Sequence, residues 1–179
     1  MKSGVSRYIM KGTDVLNKIC ATIFSLLALL GFTVHALTFF GYDPRAFSMG
    51  LWYGLQFSSA LALIVALVTF GENRRSNLLS PSGSLDKLLA WCFFIFIVYC
   101  VFNFLFTEFV LLDGGKPQIA NGNYAIGSHG FLTTISKEEY MRATVYEARL
   151  YSGHWMAFFF FAVMGLRSKT TNLPSESHG

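Results

Sequence analysis

Residues 88–109 read LLAWCFFIFIVYCVFNFLFTEF and decide the fold of this chain, because these 22 residues contain one charged side chain, Glu108. The hydrocarbon core of a bilayer is about 30 Å thick and is crossed by about 20 apolar residues in a helix. Water does not reach the backbone there, so each amide must pair inside its own segment, as it does in a helix. The stretch therefore predicts a transmembrane helix.

Three further stretches, at residues 19–40, 51–70 and 150–166, are also mostly apolar. The chain of 179 residues is 53% hydrophobic and 13% charged, whereas soluble domains carry about 25% charged residues. We therefore predict an all-α membrane protein: one integral-membrane domain over residues 1–179, built as a four-helix transmembrane bundle, with a disordered tail at 168–179. The predicted spans cover residues of about 16–41, 50–71, 86–111 and 150–167.

The first apolar stretch has a second interpretation, as a secretory signal peptide. Basic residues precede it, and Val34-His35-Ala36 fits the small-residue pattern of a cleavage site. The apolar part of a signal peptide is about 7–15 residues long, however, and this stretch covers 22. We therefore interpret it as a membrane anchor.

The lysines and arginines predict the orientation of the bundle. Nine of the 14 lie at the start of the first span, between the second and third spans, or at the end of the fourth. Positive side chains collect on the cytoplasmic side, so both termini are predicted to be cytoplasmic, by default in a bacterial-type inner membrane. The net charge of +4 then reflects orientation and does not predict a nucleic-acid partner.

The longest exposed segment, residues 113–149, is predicted to form a small extracytoplasmic cap. Asp113-Gly114-Gly115 ends the third helix, and Asn121-Gly122 suits the tight turn of a β-hairpin. Ser136 and Glu139 have the spacing of a capping box, in which each side chain pairs with the backbone amide of the other. The fourth helix is therefore predicted to start there. Strands are predicted at residues 117–120, 123–126 and 131–135.

The charges of the outer side are nearly balanced, which favours ion pairs between cap and bundle. Glu147 and Arg149, with Arg142, are predicted to form the charged, solvent-facing side of the helix as it approaches the membrane.

Polar residues inside the spans are unevenly distributed. A conducting pore or proton relay needs polar groups through the full thickness of the membrane. The inner half offers hydroxyls and cysteines but no charged side chain, so the sequence disfavours a channel or pump. The candidate polar cluster of the outer leaflet consists of His35, Gln56, Asn103, Glu108 and His154.

Two uses of this cluster follow from residue chemistry. His35 and His154 lie at similar depth on the first and last spans, as two axial ligands of one haem would. With Glu108 they would also supply two imidazoles and a carboxylate to a metal ion. The simpler interpretation is that each polar group hydrogen-bonds across helices.

Aromatic residues of the outer half suggest a further hypothesis, a pocket for a lipophilic ligand such as a quinone or a lipid. The alternative is ordinary packing between helices. The candidate pocket residues are Tyr53, Phe57, Tyr99, Phe102 and Trp155.

The sequence contains no phosphate-binding glycine loop and no zinc-ligand spacing. Ser152 and His154 do not form a catalytic pair, because residues two apart on a helix do not face each other. We therefore expect a non-enzymatic accessory subunit in the lipid bilayer, without a cofactor, that binds a protein partner or a second copy through its outer cap. The alternative is a haem- or metal-binding redox protein that uses His35 and His154.

Overall fold

The computed structural model describes residues 2–72 and 84–171 and is mostly helical, with one small antiparallel sheet. Three long apolar helices, a fourth helix and a three-stranded sheet were all expected from the sequence, and the structure confirms them. The helices are α1 (Lys2–Phe39), α2 (Met49–Glu72), α3 (Ser84–Phe106) and α4 (Lys137–Thr171). The strands are β1 (Lys116–Ala120), β2 (Asn123–Ser128) and β3 (Phe131–Thr134).

Three helical stretches are long and apolar enough to cross a membrane: Gly12–Phe39, Met49–Gly71 and Trp91–Leu111. The fourth helix, α4, is not among them. It packs along α1 and α2 and more lightly on α3, while α1 and α2 scarcely touch each other. Neighbouring helices therefore cover much of α4, and its buried side chains need not all be apolar.

The core follows the inward face of α4. Trp155 and Phe159 are its largest fully buried side chains, and Phe159 stacks on Phe24 of α1 with 6.3 Å between ring centroids. Small residues alternate with these rings. A Cβ atom at Gly165 would lie 2.8 Å from the Cβ of Thr69 on α2, so glycine is what allows these two helices to approach.

The third helix ends in a π-helical turn, Thr107–Leu111, which the sequence did not predict. The amide of Leu112 donates to the carbonyl of Thr107, five residues back, at 2.9 Å. Asp113 and Gly114 then adopt positive φ angles of 49° and 65° and end the helix, as predicted. The chain enters β1 directly afterwards.

The sheet has the order β1-β2-β3, with both pairs antiparallel. Asn121 and Gly122, at φ 53° and 77°, form the first hairpin turn, and His129 and Gly130, at φ 49° and 84°, form the second. Two consecutive positive φ angles are the mark of a type I′ turn, whose twist matches that of the strands it joins.

The capping box at the start of α4 is confirmed. The amide of Ser136 donates to a Glu139 carboxylate oxygen at 2.9 Å, and the amide of Glu139 donates to the Ser136 hydroxyl at 3.2 Å. These hydrogen bonds lower the pKa of Glu139. From here α4 continues to Thr171, so residues 168–171 are helical and were wrongly assigned to the tail. Residues 172–179 lie outside the described part of the chain.

We expect Gly165→Ala to destabilise the protein by about 1–3 kcal/mol, because the added methyl group meets the stiff β-branched side chain of Thr69 and must push α2 away from α4. The control is Gly54→Ala, whose Cβ meets no atom within 4 Å and which removes a flexible helical glycine. Unfolding in detergent measures both. Equal stability of the two variants would contradict the close α2–α4 contact.

Candidate functional site

His35 lies at the junction of three helices and is only 2% exposed. Its Nδ1 is 2.8 Å from the hydroxyl of Ser152 on α4, and its Nε2 contacts the hydroxyl of Tyr99 on α3. Ser152 is fully buried. One imidazole therefore links α1, α3 and α4.

We assign the proton of His35 to Nδ1 from the surrounding hydrogen bonds, since the roles of the two ring nitrogens depend on the tautomer. The Ser152 hydroxyl donates to the carbonyl of Ala148 at 2.8 Å, so its oxygen is left to accept from Nδ1–H of His35. Nε2 then accepts from the Tyr99 hydroxyl. The imidazole is neutral in this arrangement, and both nitrogens are used inside the protein.

Arg149 lies one turn of α4 before Ser152 and holds the end of α1. Its Nη2 donates to the Thr38 carbonyl at 3.0 Å, and its guanidinium carbon lies 4.1 Å from the centroid of the Phe39 ring. A cation at the C-terminal end of a helix is favourable, because the last carbonyls carry partial negative charge. Arg149 therefore turns inward and does not lie on the solvent-facing side where the sequence placed it.

Asn103 of α3 is buried, and its amide group donates weakly to the carbonyl of Arg149 at 3.4 Å. Gly153 makes this approach possible, since a Cβ there would lie 2.5 Å from the Asn103 Nδ2. The light contact between α3 and α4 thus includes a polar contact beside Gly153.

Gln56 joins α2 to α4 at the same level. It accepts a hydrogen bond of 2.9 Å from the indole of Trp155, which is 1% exposed. Trp155 meets Trp52 edge-on at 4.8 Å, and the guanidinium carbon of Arg45 lies 5.0 Å from the Trp52 ring centroid.

Arg45, in the loop between α1 and α2, is fully engaged. It donates to Asp43 at 2.9 Å, to Glu147 at 2.7 Å and to the Thr144 carbonyl at 2.6 Å. Burial disfavours its charge, but the hydrogen bonds to the two carboxylates outweigh burial and raise its pKa. The partner of Glu147 is thus an arginine of the first loop, whereas among residues 2–72 and 84–171 the expected partners Lys116, Lys137, Arg142 and Arg149 have no carboxylate within 4.0 Å.

His154 and Glu108 do not join His35. The Nδ1 of His154 bonds the Leu150 carbonyl of its own helix at 2.8 Å, and its ring lies edge-on to Phe104 of α3 at 5.0 Å. Glu108 lies on the π turn. Within residues 2–72 and 84–171, no group of three His, Cys, Asp or Glu side chains is placed to hold a metal ion. A haem held by His35 and His154 needs only two ligands and stays a prediction.

The five aromatic residues of the hypothetical pocket differ in their surroundings. Tyr53, Phe57 and Phe102 of α2 and α3 are 52%, 74% and 60% exposed. Trp155 is in the core, and Tyr99 belongs to the His35 network. Phe102 stacks on Phe106 at 5.6 Å. The ligand pocket stays a prediction.

Sequence reasoning missed several members of the network. Ser152 was considered only as a partner for its neighbour His154, and Arg149 only as a surface charge. The spacing of residues 149, 152, 153 and 156 places them on one face of α4, and this pattern could have indicated that they act together. No sequence pattern indicates which residues of α1 and α3 contact this face.

Comparisons of the chain with protein-family models, with curated proteins and with solved structures found no match. The interpretation of the site therefore depends on its own geometry. That geometry is a set of hydrogen bonds between helices, centred on the buried His35 and Ser152.

We expect Ser152→Ala to destabilise the protein by about 1–3 kcal/mol, because it leaves the Nδ1–H of His35 buried without an acceptor. The matched control is Ser59→Ala. Ser59 is equally buried, but its hydroxyl bonds only the Gln56 carbonyl of its own helix. Chemical unfolding in detergent gives both values, and a loss as large for Ser59→Ala would show that the His35 contact adds nothing.

Proposed function

We propose that this protein is a non-enzymatic multi-pass membrane protein that binds a protein partner through its sheet. It has four spans, both termini on the cytoplasmic side, and the sheet on the opposite side. Three apolar helices of membrane-spanning length and the excess of basic residues at one end of the bundle support this topology. A bacterial-type inner membrane suits it.

The fourth span in this proposal is the second half of α4. Its contacts with all three other helices support this placement, because a helix covered by protein needs a less apolar surface than one that faces lipid. Its charged first half then extends beyond the membrane and carries the sheet.

The polar network supports a role without catalysis. Its central imidazole donates and accepts within the protein, and its central hydroxyl donates to a backbone carbonyl. A general base or nucleophile needs a free lone pair that a substrate can reach. His35 and Ser152 are 2% and 0% exposed, so neither is positioned for that work.

The observation that carries the proposal is the open edge of the sheet at β3. All four residues of β3 are exposed, with Phe131 at 77% and Leu132 at 57%. Helix α4 packs against β1 and β2, and β3 pairs with β2 alone among the described strands. Natural sheets usually protect such an edge with charges or proline, and the sequence of β3, FLTT, has neither.

An unprotected apolar edge suits strand addition by an extended segment of another protein. The free backbone groups of β3 supply hydrogen bonds, and Phe131 and Leu132 supply apolar contact. The proposed partner is therefore a protein with an extended segment on the outer side of the membrane. This role belongs to an accessory subunit.

We expect Asn121→Cys, in a variant without the native cysteines, to react with a membrane-impermeant maleimide added to intact cells. The turn at Asn121 lies on the proposed outer side, and it is exposed. Thr13→Cys on α1 is the control at the other end and should react only after the membrane is opened. The reverse pattern would overturn the proposed orientation.

We expect a photo-crosslinking amino acid at position 131 to capture one discrete partner in intact cells. The same amino acid at Ile119, which is 63% exposed on the opposite edge strand β1, is the matched control and should not capture it.

The double variant Phe131→Glu and Leu132→Glu should abolish co-purification of the partner in mild detergent, whereas Ile119→Glu should not. A monomeric protein that yields no crosslink at position 131 would refute the proposal, and a product of twice the chain mass would identify the partner as a second copy.

A further inference from the structure

An open groove of about 1250 Å³ lies at the outer ends of the apolar helices. Phe39, Met49 and Leu111 all line it, and these are the residues at which the three membrane-length apolar stretches end or begin. The groove is therefore at the boundary between hydrocarbon and lipid headgroups in the proposed topology. Ligands that meet it there are amphiphilic.

The walls of the groove combine apolar and cationic side chains. Phe47, Phe106 and Met141 contribute apolar surface from the first loop, from α3 and from α4. Arg45 and Arg149 both line it. The two arginines differ in what they contact.

Arg45 is bound by carboxylates, whereas Arg149 has no carboxylate contact in the described part of the chain. Two carboxylates, Asp43 and Glu147, bind Arg45 at 2.9 and 2.7 Å. No carboxylate of residues 2–72 or 84–171 lies within 4.0 Å of the Arg149 guanidinium, whose hydrogen bonds go to the neutral Thr38. A half-buried positive charge without a counter-ion favours an anionic ligand.

The guanidinium of Arg149 is also held in place. Nε and Nη2 bond the Thr38 hydroxyl and carbonyl at 3.4 and 3.0 Å, and the Phe39 ring lies 4.1 Å beneath it. In the described part of the chain, Nη1 has no hydrogen-bond acceptor, so its N–H groups remain for a ligand. A fixed arginine fork with free donors matches the oxygens of a phosphate or carboxylate.

The carboxylates around the groove are not in contact with Arg149. Glu138 and Arg142 line it with opposite signs, and both are exposed. Asp43 and Glu147 both bind Arg45. Arg149 is therefore the half-buried arginine of the groove without a carboxylate contact, and it lies close to the apolar wall.

We propose that this groove binds the anionic headgroup of a lipid or a similar amphiphile, with a phosphate or carboxylate on Arg149 and an acyl chain against Phe39 and Phe106. Basic pockets at the ends of transmembrane helices are suited to lipid headgroups, because charge and apolar surface meet there. The inference depends on the membrane placement proposed above and not on the partner at β3.

Native mass spectrometry of the full chain in neutral detergent tests this site. The probes are dioleoyl-phosphatidylglycerol, dioleoyl-phosphatidylcholine, oleate and sodium phosphate. We expect saturable binding of one phosphatidylglycerol and one oleate, each about tenfold or more tighter than phosphatidylcholine, because the zwitterionic headgroup brings a second positive charge to Arg149. Millimolar phosphate should not displace either lipid.

Two variants localise the binding. Arg149→Gln should weaken the binding of phosphatidylglycerol by about tenfold, which corresponds to the loss of one charged hydrogen-bonding contact. Because Arg149 also supports α1, a second variant that leaves Arg149 in place is needed, and Met141→Glu serves this purpose. Met141 lines the groove and is 57% exposed. The new carboxylate would repel the anion without contacting Thr38. Met141→Gln is its matched control, and Lys116→Gln, an exposed outer charge outside the groove, is the control for charge.

Each outcome of these experiments either supports the lipid site or overturns it. Equal binding of the two phospholipids, or unchanged phosphatidylglycerol binding in both Arg149→Gln and Met141→Glu, would overturn the proposal. Displacement of the lipids by free phosphate would also overturn it, since the groove would then be a site for a soluble anion. The double variant Phe131→Glu and Leu132→Glu should bind lipid normally, so failure of the partner hypothesis leaves this one standing.

Discussion

The structure depends on hydrogen bonds between helices, which stabilise polar side chains within an otherwise apolar bundle. Helix α4 meets this requirement over residues 149–155, a rise of about 9 Å. There Ser152 binds His35 of α1, Trp155 binds Gln56 of α2, and the Arg149 carbonyl accepts from Asn103 of α3. Since each contact joins α4 to a different helix, this short stretch fixes the position of all three.

In the opposite half of the bundle, several hydroxyl groups are satisfied within their own helices. The hydroxyls of Ser25, Ser59 and Thr69 bond carbonyls of their own helices, at 2.8–2.9 Å, and so make no demand on a neighbour. Between helices, aromatic rings such as Phe24 and Phe159 pack against each other. Ring packing therefore contributes to the contact between α1 and α4 in this half.

The two half-buried arginines, Arg45 and Arg149, are similar in sequence but have different roles in the structure. Arg45 is surrounded by Asp43, Glu147 and the Thr144 carbonyl, and it joins the first loop to α4 as a structural ion pair. Arg149 supports the end of α1 through Thr38 but keeps its charge uncompensated beside an open groove. The first arginine is closed to ligands, while the second is available to an anion.

The sequence by itself determined the helices, the turns and the cap, because these follow from local causes: apolar length, glycine and asparagine at positive φ angles, and the reciprocal bonds of Ser136 and Glu139. It also placed His35, Gln56 and Asn103 at one level. It did not predict the π turn, the central position of α4, the inward turn of Arg149 or the different partners of His35 and His154. Only the tertiary structure decided these, because they depend on which helix faces meet, and residues such as His35 and Ser152, 117 positions apart, carry no mark of each other in the chain.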